Sequence, residues 1–212
     1  MWQELITGVY QGVPMTAEQL HALDVLVRIS NLPLPTRATH RFSRWQHSDR
    51  TEQVFLEVKA FLEQPKHHFL SLLGGVGCGK THLALSLAWD WLETGKGSVL
   101  YYQVESLLDE LRMGYRAWER GDQVDPYLLL EQAKNCHLLI LDDLGAHKPT
   151  AWAEAKLDEI VDYRYINRRA TVVTSNLSLL MLPERISDRF AEGTVLVLEG
   201  KSYRRQKGSE EG

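Results

Sequence analysis

The sequence predicts an α/β fold: a parallel five-stranded sheet sandwiched by helices and built around a glycine-rich loop. Three observations predict it. Five short, nearly continuous apolar runs alternate with stretches of helical periodicity, the pattern of strands buried on both faces. The stretch GGVGCGKT (74–81) matches G-x-x-x-x-G-K-[ST] and lies between one such run and one such helix. Another run, HLLILDD (137–143), ends in two adjacent aspartates.

Taken in order, residues 1–40 read as a short helical and extended appendage, a candidate partner-binding segment. Thr16 is placed to cap a helix carrying Glu18, Leu20, Leu23 and Val27, and Pro33 and Pro35 in NLPLPTR then impose an extended linker. From Asp49 to Glu63, Val54, Phe55, Val58, Phe61 and Leu62 recur at helical spacing, and Pro65 ends that helix. Strands are expected at FLSLL (69–73), SVLYYQV (98–104), HLLILDD (137–143), ATVVTSN (170–176) and TVLVLEG (194–200). Helices fall between them at 79–93, 105–119, 126–134, 151–168 and 178–191. With twelve residues after the last strand, no separate lid domain is expected. The main domain is placed at 41–205 and a frayed tail at 206–212.

Composition narrows the class. The 212 residues are 44% apolar and 25% charged, ordinary globular values. The balance of 24 basic against 28 acidic residues, net −4, excludes a global basic field, so any nucleic-acid contact must come from a local patch. Cys78 and Cys136 form no C-x-x-C pair and point to a reducing cytoplasm rather than a disulfide framework. No run has membrane-spanning length, and MWQELITGVY lacks the features of an export signal, so no membrane contact is expected.

The chemistry follows from three strand ends. Gly74, Gly77 and Gly79 allow backbone angles that aim successive N–H groups into one concavity, with Gly75, Val76 and Cys78 filling the remaining positions. That concavity opens a helix N-terminus, which favours phosphate. Lys80 then reaches the β- and γ-phosphates of ATP, and the Thr81 hydroxyl ligates Mg²⁺. Asp142, at a strand's carboxyl end, would hold the same ion through water, and Asp143 would orient or deprotonate an attacking water. Asn176 ends another strand, where its amide can hold that water or sense the γ-phosphate; a plain Asn turn is the alternative.

Together GGVGCGKTHLA, LLILDDLGAHKPTAW, YRYINRRATVVTSNL and ERISDRF followed by GKSYR resemble the AAA+ ATPases of the DnaC/DnaI helicase-loader and IstB transposition-helper group. The resemblance spans roughly residues 40–205. It implies that Lys80 and Thr81 are Walker A, Asp142 and Asp143 Walker B, and Asn176 sensor 1. Arg189 would be an arginine finger acting in trans, and Arg204 a sensor-2-like arginine on ATP. Two departures stand out. Most AAA+ proteins carry Glu where Asp143 stands, which predicts slow hydrolysis. The loaders also usually carry a longer N-terminal domain than the 40 residues found here.

A guanidinium supplied by a neighbour makes hydrolysis depend on assembly, and the repeated head-to-tail contact generates a homo-oligomeric ring or open helix. Arg185, one turn earlier, either supports that interface or pairs with Glu184 or Asp188. The function implied is an ATP-dependent loader that binds single-stranded DNA and delivers a replicative helicase. The alternatives are an IstB-like regulator assembling on duplex DNA with a transposase, and an ATP-gated scaffold with little hydrolysis. For DNA, LRMGYRAWER (111–120) interleaves Arg112, Arg116 and Arg120 with rings, nominating Tyr115, Arg116 and Trp118; a solvated amphipathic helix is the rival reading. Further basic clusters lie at Arg164, Arg168 and Arg169, and at Lys201, Arg204, Arg205 and Lys207.

Overall fold

Thr16 opens the first helix with a reciprocal cap. Its hydroxyl accepts the Gln19 N–H while the Gln19 side chain accepts the Thr16 N–H, starting α1 (Ala17–Ile29). The computed structural model describes residues 9–10, 13–14, 16–45, 51–65, 68–123 and 125–199. Ahead of α1, the two-residue strands β1 (Val9–Tyr10) and β2 (Val13–Pro14) pair antiparallel. After it come α2 (Thr36–Thr39), a 3₁₀ turn at Phe42–Arg44 and α3 (Glu52–Glu63). The alternation then runs β3 (Phe69–Gly74), α4 (Lys80–Glu93), β4 (Val99–Gln103), α5 (Val104–Glu119), α6 (Leu128–Asn135) and β5 (Leu138–Asp142). It closes with α7 (Ala151–Ile166), β6 (Ala170–Ser175), α8 (Glu184–Ala191) and β7 (Thr194–Leu198).

The five long strands form one parallel sheet in the order β4-β5-β6-β3-β7. Alternation along each strand sends side chains to two cores. Leu70, Leu72, Val99, Tyr101, Leu138, Ile140 and Val172 pack with α1, α3 and α4 on one face. Phe69, Leu100, Tyr102, Leu139, Leu141 and Val173 pack with α5 to α8 on the other. Among the described residues no helix is long and apolar enough to cross a membrane.

Two local differences from the sequence expectation have physical causes. The helix expected at 178–191 is two pieces, a 3₁₀ turn at Leu179–Met181 and α8. Pro183, which lacks an N–H, stands at the α8 N-cap and cannot continue a helix from the preceding turn. The stretch expected as a linker is fastened down. Leu23, Val27 and Leu32 are buried in the α4 core, and Asn31 Nδ2 donates to the Tyr101 carbonyl at 2.9 Å. Trp89 Nε1 donates to Thr36 Oγ1 at 3.0 Å, Arg37 pairs with Glu93 at 2.9 Å, and Arg41 pairs with Asp90 at 3.1 Å and Glu93 at 2.6 Å.

The strand order also determines where a ligand can sit. From β3 the chain crosses to one side of the sheet, and from β6 it crosses back over β3 to β7. The carboxyl ends of β6 and β3 therefore flank a topological switch point, the usual crevice for ligands in open parallel sheets.

Candidate functional site

At that crevice the glycine-rich loop leaves β3 and enters α4. Gly79 is the helix N-cap with φ +103°, and a Cβ there would stand 2.6 Å from the Trp45 ring. Only glycine allows both this backbone and the indole packed beneath it. Gly74 has φ +144°, and a Cβ would collide with the Leu198 carbonyl, so the loop lies close against the end of β7. Gly75 and Val76 form the exposed tip, while Cys78 is buried beneath it.

Lys80 is the first residue of α4, and its side chain is folded back over the loop. Its ammonium donates to the carbonyls of Gly74 and Gly75 and to Asn176 Oδ1, each at 2.8 Å. The other end of the same amide, Asn176 Nδ2, donates to Asp143 Oδ1 at 2.9 Å. An ammonium on one side and a carboxylate on the other leave only one orientation for the Asn176 amide. Asp143 itself adopts φ +59°, a left-handed turn that aspartate tolerates, and its N–H donates to Thr174 Oγ1 at 2.9 Å. Strand β6 and the residue just after it thus hold Asp143 at its backbone N–H and at its carboxylate.

Asp142 is buried and accepts from three hydroxyls. Thr81 Oγ1 lies 3.0 Å from Oδ1, Thr174 Oγ1 2.6 Å from Oδ1, and the Tyr101 hydroxyl 2.8 Å from Oδ2. No cationic side chain pairs with it among the described residues. Neighbouring hydroxyl and carboxylate oxygens with no resident cation suit a small hard divalent ion, so the donor set of Thr81 and Asp142 fits Mg²⁺. Burial and the charge of Asp142 push the Tyr101 phenol well above its ordinary pKa, so it remains a neutral donor. Behind the loop, the rings of His40 and His82 lie 4.9 Å apart, and burial lowers both imidazole pKa values. Sequence reasoning missed Tyr101, Thr174 and this pairing of two histidines. The one signal was a tyrosine pair in an otherwise apolar run, and only the pairing of β4 with β5 shows which ring reaches Asp142.

The remaining candidates are spread over the molecule. Arg189 lies on α8, where its Nε donates to Asp162 Oδ1 at 3.1 Å and its guanidinium stands 4.4 Å over the Tyr165 ring. Arg185 pairs with Asp162 at 3.0 Å and approaches Asp158 at 3.7 Å, not Glu184 or Asp188, because α8 packs against α7 and presents both arginines to its acidic face. In 111–120, Arg116 and Trp118 are exposed, whereas Tyr115 turns inward between Tyr127 and Trp152, with Lys156 over its ring at 5.2 Å. Arg164, counted in the sequence as part of a basic cluster, is fully buried and offers no surface charge. Arg204, with Lys201, Arg205 and Lys207, lies outside the described residues.

Comparisons with known proteins bear on the family and the fold. The family model described as IstB-like ATP binding protein matches residues 15–210. The chain is 30% identical over 139 residues to the replicative helicase loader DnaC of Buchnera aphidicola subsp. Baizongia pistaciae, covering 63% of this chain and 55% of that one. It thus spans about half the length of the curated relatives it matches. Among solved structures it is similar to a putative primosome component from Streptococcus pyogenes serotype M3, with TM-score 0.64 and 25% identity over 85% of this chain and 97% of that one. A crystal structure of the DnaC helicase loader shares the fold, with TM-score 0.65 and 22% identity over 76% and 97% of the two chains. With a P-loop facing two strand-end aspartates across one parallel sheet, the chain belongs to the IstB-like ATP-binding protein family and has the AAA+ P-loop ATPase fold.

Proposed function

We propose that the protein is an ATP-hydrolysing helicase loader that assembles head-to-tail on single-stranded DNA and engages a replicative helicase. The observation that carries this reading is the Lys80–Asn176–Asp143 connection beside the Thr81–Asp142 pair. A terminal phosphate arriving at the Lys80 ammonium competes with Asn176 Oδ1 for the same protons. The amide is then available to hold a water against Asp143, which orients it for in-line attack and draws off its proton. Thr81 and Asp142 are the residues that would hold Mg²⁺, which when bound neutralises charge developing on the phosphates. The backbone from Gly74 to Gly79 cradles the α- and β-phosphates, and the resemblance assigns Arg204, outside the described residues, to ATP. Asp143 has a shorter reach than the Glu usual in AAA+ proteins, which makes turnover slow.

Arg189 enters the pocket of the adjacent subunit in this reading, so hydrolysis waits on assembly. Residues 41–205 are the ATPase module. Because Leu23, Val27 and Leu32 are buried, the part of residues 1–40 left to meet a partner includes the outer face of α1, where Val25 and Ile29 are exposed. Exposed Arg116 and Trp118 meet DNA, with Tyr115 bracing them from below. The family match supports a second reading, a transposition regulator assembling on duplex DNA with a transposase.

The test compares single-stranded and duplex DNA of equal length at one salt concentration, reading binding, oligomer size and ATP turnover together. ATP-dependent assembly on single strands, with turnover abolished in Asp143→Asn, is the expected result. A duplex preference moves the protein to the transposition reading. Assembly with turnover at background reduces it to a nucleotide-gated scaffold.

A further inference from the structure

We infer that Tyr101 is a positioning residue for the divalent-cation site, holding the plane of the Asp142 carboxylate before any cation arrives. The inference rests on the nucleotide and Mg²⁺ reading of the pocket proposed above.

The register of the sheet brings the two residues together. Gln103 pairs with Asp142 across β4 and β5, and Tyr101 stands two residues earlier on the same face. Two residues of strand advance about 7 Å, a gap that a tyrosine side chain can bridge. Tyr101 and Tyr102 are adjacent but not equivalent. The Tyr102 hydroxyl goes to the opposite face and donates to Glu110 Oε2 at 2.7 Å, away from the pocket.

The hydrogen bonds around Asp142 divide the work between its oxygens. Thr174 Oγ1 accepts the Asp143 N–H, so its own proton is directed to Asp142 Oδ1 at 2.6 Å. Thr81 Oγ1 donates to the same oxygen at 3.0 Å and lies 3.3 Å from Oδ2. A carboxylate held mainly through one oxygen can still swing about its Cβ–Cγ bond. Tyr101 supplies the second point, donating to Oδ2 at 2.8 Å, and removes that swing. Thr81 donates its proton to Asp142 and so keeps a lone pair for a cation. The carboxylate is likewise left in one orientation toward the ion or its water. Hydrogen-bond partners behind a metal ligand typically contribute about 10- to 100-fold in metal affinity.

Tyr101→Phe removes the hydroxyl and keeps the ring. The measurement is binding of a non-hydrolysable ATP analogue by calorimetry, once in excess EDTA and once across a Mg²⁺ titration, for wild type and variant. Wild type is expected to bind more tightly with Mg²⁺. The variant should match wild type within about twofold in EDTA, while its half-saturating Mg²⁺ rises about tenfold. Superimposable Mg²⁺ titrations overturn the inference. So does an equal loss of affinity with and without Mg²⁺, since a ring needed only for packing affects both arms alike. A wild type that ignores Mg²⁺ altogether defeats the underlying reading of the site, a result distinct from either of these. Thr174→Val, which removes the donor to the other oxygen, should reproduce the Mg²⁺ shift; no shift in it also counts against the arrangement.

Discussion

Two arginines on neighbouring helices show how differently one guanidinium can be used. Arg164, on α7, is fully buried without a carboxylate partner among the described residues. Its Nη1 donates to the carbonyls of Ala133, Lys134 and Cys136 at 2.8, 3.0 and 3.0 Å, Nη2 to Ala170 O at 2.5 Å, and Nε to Thr171 Oγ1 at 2.8 Å. Three of these acceptors lie at the end of α6, where helix dipole and unpaired carbonyls welcome a cation. Burial lowers its pKa, yet an arginine stays charged at any working pH. Arg189, on α8, is about one third exposed and commits only Nε, to Asp162, with its flat face on Tyr165. Its two Nη groups make no hydrogen bond among the described residues. One arginine ties α6, α7 and β6 together; the other is braced at its stem with its fork turned outward.

The sharpest break in this contrast is Arg189→Ala. Turnover of the assembled protein should fall by ~10³-fold or more, while stability stays close to wild type, since a surface ion pair contributes little. Steady-state turnover beside urea unfolding checks both halves, and wild-type turnover in the assembled state removes the finger assignment. Next is Arg164→Met, which strands several buried carbonyls and should cost about 3–5 kcal/mol of unfolding free energy. A shift in urea midpoint equivalent to less than about 1 kcal/mol would show that the carbonyls find other partners. Asp162→Asn loosens the brace without removing the fork, and turnover should drop about tenfold through misplacement. The smallest effect belongs to Arg185→Ala. Its side chain is 69% exposed, and both its stability and its turnover should stay close to wild type, within ~0.5 kcal/mol by denaturation.

The strands mark where reading the sequence succeeds, and Arg164 marks where it stops. All five strands of the sheet fall within the expected runs to within a residue or two, because alternation of buried runs with helical stretches is a local property. The loop and the aspartate pair are equally local, so Lys80, Thr81, Asp142 and Asp143 could be singled out before any geometry was known. Arg164 could not. Its spacing from Arg168 and Arg169 looks like a basic patch, and only the packing of α6 on α7 turns it inward. Tyr101 was hidden for a related reason, since its partner comes from a strand about forty residues away. At NLPLPTR (31–37) the prolines signal an extended chain but not what it lies against, and here Asn31, Thr36 and Arg37 are bonded to Tyr101, Trp89 and Glu93.

The position of β3 has a consequence for how the chain is made. It lies between β6 and β7, so Leu70 gains its first sheet neighbour, Val172, only about a hundred residues later in synthesis. During translation the loop that follows β3 emerges with its apolar strand unpaired. No nucleotide pocket can close until the ribosome has delivered β6 and Asn176. Such late, distant pairing is slow and leaves a sticky intermediate, so a nascent chain halted before residue 170 should need a chaperone rather than ATP to stay out of aggregates.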